Sequence, residues 1–225
     1  MKKLITILFF TLYMGASYAE LNFGLTGALT QIDASGTETE GGEKTSKDIS
    51  HVTVIPSLFV EYGVLDRVTI GLDYIPITAD VSDKTYNRTD IETSVTGNVA
   101  TTSTTRKQTA QAELADHITL YAEVMLTDEA FLKVGGVQVD LNTTENLATG
   151  SKYGNETLNG YVLGLGLKKD IDGVYGFGKF VKMELVHTDY DEVTITSSTA
   201  RTGVSPNNVI AADLDTTAFR ISYGF

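Results

Sequence analysis

Along most of this 225-residue chain, apolar side chains fall on every second position. That is the period of a β-strand, whose side chains alternate between two faces. Leu21, Phe23, Leu25 and Leu29 share one face of a first segment, residues 21–32. Val52, Val54, Leu58, Val60 and Tyr62 do so in residues 51–62, and Val68, Ile70, Leu72 and Tyr74 in residues 67–77. A fourth segment, 111–126, places Leu114, Ile118, Leu120, Ala122, Val124 and Leu126 on its outward face. In the fifth, 130–141, Leu132 and Val134 start on one parity, and Val137, Val139 and Leu141 take the other. Gly135 and Gly136 sit at that switch and predict a β-bulge. Residues 158–168 expose Tyr161, Leu163, Leu165 and Leu167, and residues 175–190 expose Val181, Met183 and Leu185. The last strand closes the chain, with Phe219, Ile221, Tyr223 and Phe225 on one face and Arg220, Ser222 and Gly224 on the other.

The connections sort into two kinds. Residues 63–66, 127–129 and 169–173 are tight turns, whereas 33–50, 78–110, 142–157 and 191–208 are long and rich in Thr, Ser, Asn and acidic residues. Long and short alternate without a break, as they do in a barrel with short periplasmic turns and long extracellular loops. The fold class expected is all-β: a single transmembrane antiparallel β-barrel of about eight up-and-down strands. Closure of an even number of strands removes exposed edges, and both termini fall on the periplasmic side. Residues 78–110 are long enough for a hairpin of their own around Gly97-Asn98. They are too polar to face hydrocarbon, so a β-extension of strands three and four beyond the membrane is expected rather than ten spanning strands.

The ends of the chain agree with this reading. Lys2 and Lys3 precede an apolar run from residue 4 to 14, and small residues follow up to Ala19. This predicts a secretory signal peptide over residues 1–19, cleaved after Ala19, with the barrel domain over 20–225. The apolar run is shorter than the roughly 20 residues of a spanning helix. Loss of Lys2 and Lys3 takes the formal net charge from −12 to −14, which argues against nucleic acid as a partner. The chain has no Cys, so it has neither a lipoprotein acylation site nor a disulfide framework.

A terminal Phe preceded by aromatic and apolar residues at alternate positions resembles the closing strand of bacterial outer-membrane β-barrels. As a whole the chain resembles the small eight-stranded barrels of the OmpA, OmpX and opacity-protein type, in architecture and topology rather than residue by residue. The resemblance implies a Gram-negative outer membrane and a monomer. It implies outer-membrane lipid and lipopolysaccharide as surroundings, with periplasmic chaperones and the barrel assembly machinery reading Phe219, Ile221, Tyr223 and Phe225. It further implies structural or surface-interaction roles exercised through the loops.

With the apolar parity outward, Glu61, Asp73, Glu123, Lys133, Lys182, Glu184 and Arg220 point inward from six strands. An eight-stranded barrel is just wide enough for side chains to fill, and charges there must be paired or hydrated. A salt-bridged polar plug follows, with Arg220 and Lys182 as basic centres for Glu61, Glu123 and Glu184. A narrow porin-like path for small ions or solutes is the alternative. Gly160, Gly164 and Gly166 are expected to make room for long charged side chains, and Tyr62, Tyr74, Tyr175 and Phe225 to form interface belts.

Catalysis is not expected. The pattern of outer-membrane lipid A deacylases is a His followed two residues later by Ser on the lipid-facing wall. Here His187 has that parity, but Asp189 holds the Ser position. His117 and Asp116 point to opposite faces and form no dyad. A lipid-modifying enzyme is therefore the third reading, after barrel and porin. No cofactor and no metal site are expected. Asp189, Asp191 and Glu192, and Glu38, Glu40 and Glu43, read as solvated acidic loops without the spacing of a Ca²⁺ motif.

Overall fold

The computed structural model describes residues 20–40, 43–82, 86–96, 99–146, 152–171, 178–197 and 208–225. The signal peptide expected over residues 1–19, its cleavage at Ala19, the belt position of Tyr175 and the turn at Gly97-Asn98 lie outside them.

The described residues form eleven antiparallel strands. They are β1 (Leu21–Glu40), β2 (Glu43–Leu65), β3 (Val68–Ile75), β4 (Ala79–Asp80), β5 (Tyr86–Thr96), β6 (Val99–Met125), β7 (Ala130–Asn146), β8 (Glu156–Asp170), β9 (Phe180–Tyr190), β10 (Val193–Thr196) and β11 (Val209–Gly224). Eight of them, β1-β2-β3-β6-β7-β8-β9-β11, follow one another round a ring. Pairing of β1 with β11 closes it, from Gly24 opposite Gly224 to Thr39 opposite Val209. At the terminal end, Phe23 and Phe225 exchange both backbone hydrogen bonds, and their rings meet edge to face with centroids 4.8 Å apart. A neighbouring turn is clasped by Lys169 and Glu129 at 2.6 Å. That exposed pair holds the Glu129 carboxyl below, and the Lys169 ammonium above, their ordinary values.

An apolar belt rings the outer wall near the termini. Leu21, Phe23, Leu25 and Leu29 of β1, Leu163, Leu165 and Leu167 of β8, and Phe219 and Ile221 of β11 are all exposed on it. The β1 share of the belt spans nine residues (21–29), the length a tilted strand needs to cross hydrocarbon. This is the transmembrane barrel that the alternation predicts.

Three sequence expectations need correction. The long connections are largely β-strand: β1 and β2 run on, in register, until Glu40 faces Glu43, and β5 folds back on β6 as the expected extension. The bulge is not at Gly135-Gly136, whose pairings on both sides are regular. It lies in β6, where the register slips between Ala115 and Ile118 and Asp116 takes a positive φ of 48°. The extra residue there turns Leu114 inward, to 6% exposure, although Ile118 below it faces out. In β7 the parity of the wall never changes; what changes is its chemistry. Val137 and Val139 point inward on the same face as Lys133 and are buried.

That change defines two storeys. In the belt storey, apolar side chains face out and polar ones face in. Above it, outward positions become Gln31, Asp33, Gln138, Asp189 and Asp215. Inward positions there form an apolar core that includes Ile32, Leu114, Val139, Leu158, Val186 and Leu214. Water replaces lipid as the outer solvent, so the apolar surface moves to the inside.

Of the three glycines expected to make room for charged side chains, Gly164 faces Lys133 across the strand pair, Gly166 faces the Phe131 ring, and a Cβ on Gly160 would meet the backbone of Asp189 and Tyr190. Four glycines of the lower storey seat aromatic rings. Gly24 faces Phe59, Gly71 faces Tyr121, Gly166 faces Phe131 and Gly224 faces Phe180, each directly across a strand pair. A Cβ on any of the four would lie 2.2–2.5 Å from the partner ring. Each of the eight wall strands contributes to one such joint. Gly71→Val or Gly166→Val is expected to destabilise the barrel by about 1–3 kcal/mol through overpacking, read as the urea midpoint of micelle-refolded protein. Gly27→Val, which adds its side chain to open space, is the control and leaves the midpoint in place.

Candidate functional site: a charged floor and an apolar chamber

Alternation puts Glu61 on β2, Asp73 on β3, Glu123 on β6, Lys133 on β7, Lys182 and Glu184 on β9, and Arg220 on β11, all on the inner face. All but Arg220 are buried to 3% exposure or less. The structure joins all seven. The Lys182 ammonium donates to Glu61 and, at 2.9 Å, to Glu123. Lys133 bridges Glu123, at 3.1 Å, and Glu184. Arg220 donates to Asp73, and its Nε lies 3.7 Å from Glu184. Lys133 is thus a third basic centre, which the reading of Arg220 and Lys182 alone had not assigned.

Four aromatic rings, all inner-facing, complete this floor and had not been singled out in the sequence. The Lys182 ammonium lies 5.0, 6.0, 5.6 and 5.7 Å from the ring centroids of Phe59, Tyr121, Phe131 and Phe180. These are the rings seated on the four glycines. Tyr121 also donates to Glu61 at 2.8 Å, and Lys133 sits 4.2 Å from its ring centroid. Cations within about 6 Å of an aromatic face gain electrostatic attraction as well as packing. The sequence signal for the cage was present: Phe59, Tyr121, Phe131 and Phe180 all fall on the polar parity of their strands.

Above the floor is open space. A cavity of about 60 Å³ borders Arg220 and is lined by Ile55, Ile75, Ile77, His117, Thr188 and Thr216, among others. A larger chamber of about 270 Å³ lies toward the loop end, lined by residues that include Ile49, Val81, Leu141, Leu158, Val193 and Leu214. At its rim Tyr153, itself 9% exposed, donates to Glu38 at 2.7 Å.

The wall beside these spaces is incomplete. Pairing of β2 with β3 starts at Leu58 opposite Tyr74 and runs only toward the termini. The continuation of β3, β4 with β5, pairs with β6. Residues 43–57 of β2 therefore pair only with β1, and among the described residues no strand takes their other edge. Two of the chain's three prolines, Pro56 and Pro76, flank this seam. Proline has no N–H to give to a ladder and is found at sheet edges for that reason. Ile55 on one side of the seam and Ile75, Ile77 and Ala79 on the other line the same cavity.

The remaining candidates are separate. His187 is exposed on the outer wall, its Nδ1 3.1 Å from Thr217 Oγ1. Asp189 instead accepts from Tyr161 at 2.5 Å. Among the described residues no group of three or more His, Asp or Glu is arranged to hold a metal. Phe219 and Ile221 lie exposed on the belt and Tyr223 and Phe225 are half-buried at its terminal edge.

The fold is that of a small eight-stranded outer-membrane β-barrel. The outer membrane protein OprG from Pseudomonas aeruginosa superposes with a TM-score of 0.52 at 15% identity, over 91% of this chain and 95% of that one. The outer membrane protein AlkL gives 0.48 at 11% identity, over 94% and 93% of the two chains. The attachment invasion locus protein Ail of Yersinia pestis gives 0.33 at 10% identity, over 90% and 99%. No family model matches the chain, and no curated protein matches it in sequence.

Replacing Lys182 by Met is expected to cost about 3–5 kcal/mol, because Glu61 and Glu123 stay buried without their cation. The double variant Lys182→Met with Glu61→Gln recovers part of that loss. Arg220→Met should lower the urea midpoint more than Lys47→Ala at an exposed position, and equal midpoints would remove the floor from the stability of the barrel.

Proposed function

We propose that this protein is an outer-membrane barrel closed to axial ion flow. Its outer storey admits small apolar molecules and releases them sideways through the β2–β4 seam. The observation that carries this reading is the seam itself, an unpaired wall flank that lines the small cavity above the charged floor and, at Ile49, the apolar chamber beyond it. An ion following the barrel axis meets Lys182, Lys133 and Arg220, each already engaged by carboxylates. An apolar molecule in the chamber meets Ile, Val and Leu, and its exit through the seam faces the height at which the outer wall turns apolar.

In this reading both termini are periplasmic and the chamber opens toward the medium. Phe219, Ile221, Tyr223 and Phe225 act as the signal read by the assembly machinery and periplasmic chaperones, and the barrel works as a monomer without catalysis. The strands that overrun the belt, rich in Thr, Ser and acidic side chains, support an additional surface role. They give a hydrated anionic crown suited to cation-mediated contact with lipopolysaccharide.

Refolded protein in a planar bilayer is expected to show no discrete ion openings. Reproducible steps whose selectivity changes with Glu123→Gln would establish the narrow porin instead. Transfer of an apolar fluorophore into reconstituted vesicles is expected to drop severalfold in Ala79→Trp, which fills the seam cavity. Unchanged transfer in that variant would reject lateral release.

A further inference from the structure

The small cavity above the floor is not uniformly apolar. His117 lines it from the β6 bulge. The imidazole Nε2 lies 2.9 Å from the Tyr190 hydroxyl, while Nδ1 is buried with no hydrogen-bond partner. Arg220 lines the same cavity, with its Nε turned to Glu184 at 3.7 Å. Thr30, Thr188 and Thr216 add hydroxyls among the aliphatic walls. A buried polar group left unmatched is costly, so His117 Nδ1 is an unspent recognition group at the inner end of an apolar space.

Their chemistry selects a ligand head. The guanidinium of Arg220 is committed to Asp73, Ser57 and Glu184. A carboxylate head would have to compete with Asp73 for it and would place a second anion beside Asp73. An ammonium head would face the guanidinium. Either charge would be buried without a partner of its own, which is unfavourable in so buried a site. A hydroxyl is neutral and fits His117 Nδ1: it donates to or accepts from that nitrogen, whose tautomer the Tyr190 hydroxyl leaves free because that hydroxyl takes either role.

We infer that the cavity is a recognition site for neutral hydroxyl-bearing apolar molecules, alcohols or phenols, with the hydroxyl on His117 Nδ1 and the hydrocarbon body among the aliphatic side chains of the same cavity. The inference rests on the proposed admission of apolar molecules and adds the class that is preferred.

The test uses membrane-reconstituted protein labelled at Ile methyl groups, since Ile32, Ile55, Ile75 and Ile77 all line the cavity. It is titrated separately with 1-heptanol, n-heptane and heptanoate. Heptanol is expected to half-saturate the methyl shifts at roughly five- to tenfold lower membrane-corrected concentration than heptane, the worth of one net hydrogen bond. Heptanoate is expected to bind more weakly than heptanol. His117→Phe should erase the preference for heptanol and leave heptane binding intact. Should that variant not refold, Thr188→Val should narrow the preference in the same direction. Equal half-saturation by heptanol and heptane would mean that the polar end holds only water, and would overturn the inference while leaving the chamber reading standing. Tighter binding of heptanoate would make it an anion site and overturn it as well. Absence of methyl shifts with all three compounds would remove both readings.

Discussion

The barrel is organised around one buried ammonium. Lys182 reaches the centre of the lower storey, donates to Glu61 and Glu123, and is enclosed by Phe59, Tyr121, Phe131 and Phe180. Each ring lies flat enough to reach the centre because the residue facing it across the strand pair is glycine. The charge network and the glycine joints are therefore one device. The joints set the distance between wall and axis, and the ion pairs take up the charges that the narrow bore cannot hydrate.

This floor has a consequence for the storey above. Charge is concentrated near the termini, and above it the interior is apolar, with Tyr153 and Tyr190 among Ile, Leu and Val side chains and polar residues on the outside, as in a water-surrounded barrel. The edge of residues 43–57 is left without a ladder partner on the side of β3 and β4. Pro56 and Pro76 stand where a continuous ladder would have to form. The seam runs from the floor, where Ser57 donates to Asp73 and accepts from Arg220, up along the aliphatic space.

His117 links the two storeys. It lies immediately after the strained Asp116, where β6 gains its extra residue. Without that slip, Leu114 and Ile118 would share a face, and one of them would be apolar toward the wrong solvent. The bulge thus reconciles the apolar parity of β6 with the inversion of the wall, and it delivers an imidazole to the boundary between chamber and floor.

Much of this was legible in the chain. Alternation located the eight spanning strands, the long and short connections ordered them up and down, and parity turned Glu61, Asp73, Glu123, Lys133, Lys182, Glu184 and Arg220 inward, because in a strand the direction of a side chain is a local property. Three matters were not local. Apolar parity follows both the solvent and the register: from Val134 to Val137 it switches with the solvent in an unbroken ladder, whereas from Leu114 to Ile118 a bulge cancels that switch, and only the neighbouring register separates the two cases. The use of Gly24, Gly71, Gly166 and Gly224 as seats for rings depends on which residue lies across the strand pair, and register is fixed by the whole sheet. The seam is a hydrogen-bond ladder that stops, and whether a ladder stops is decided by two strands together, however clearly each proline is written in one of them.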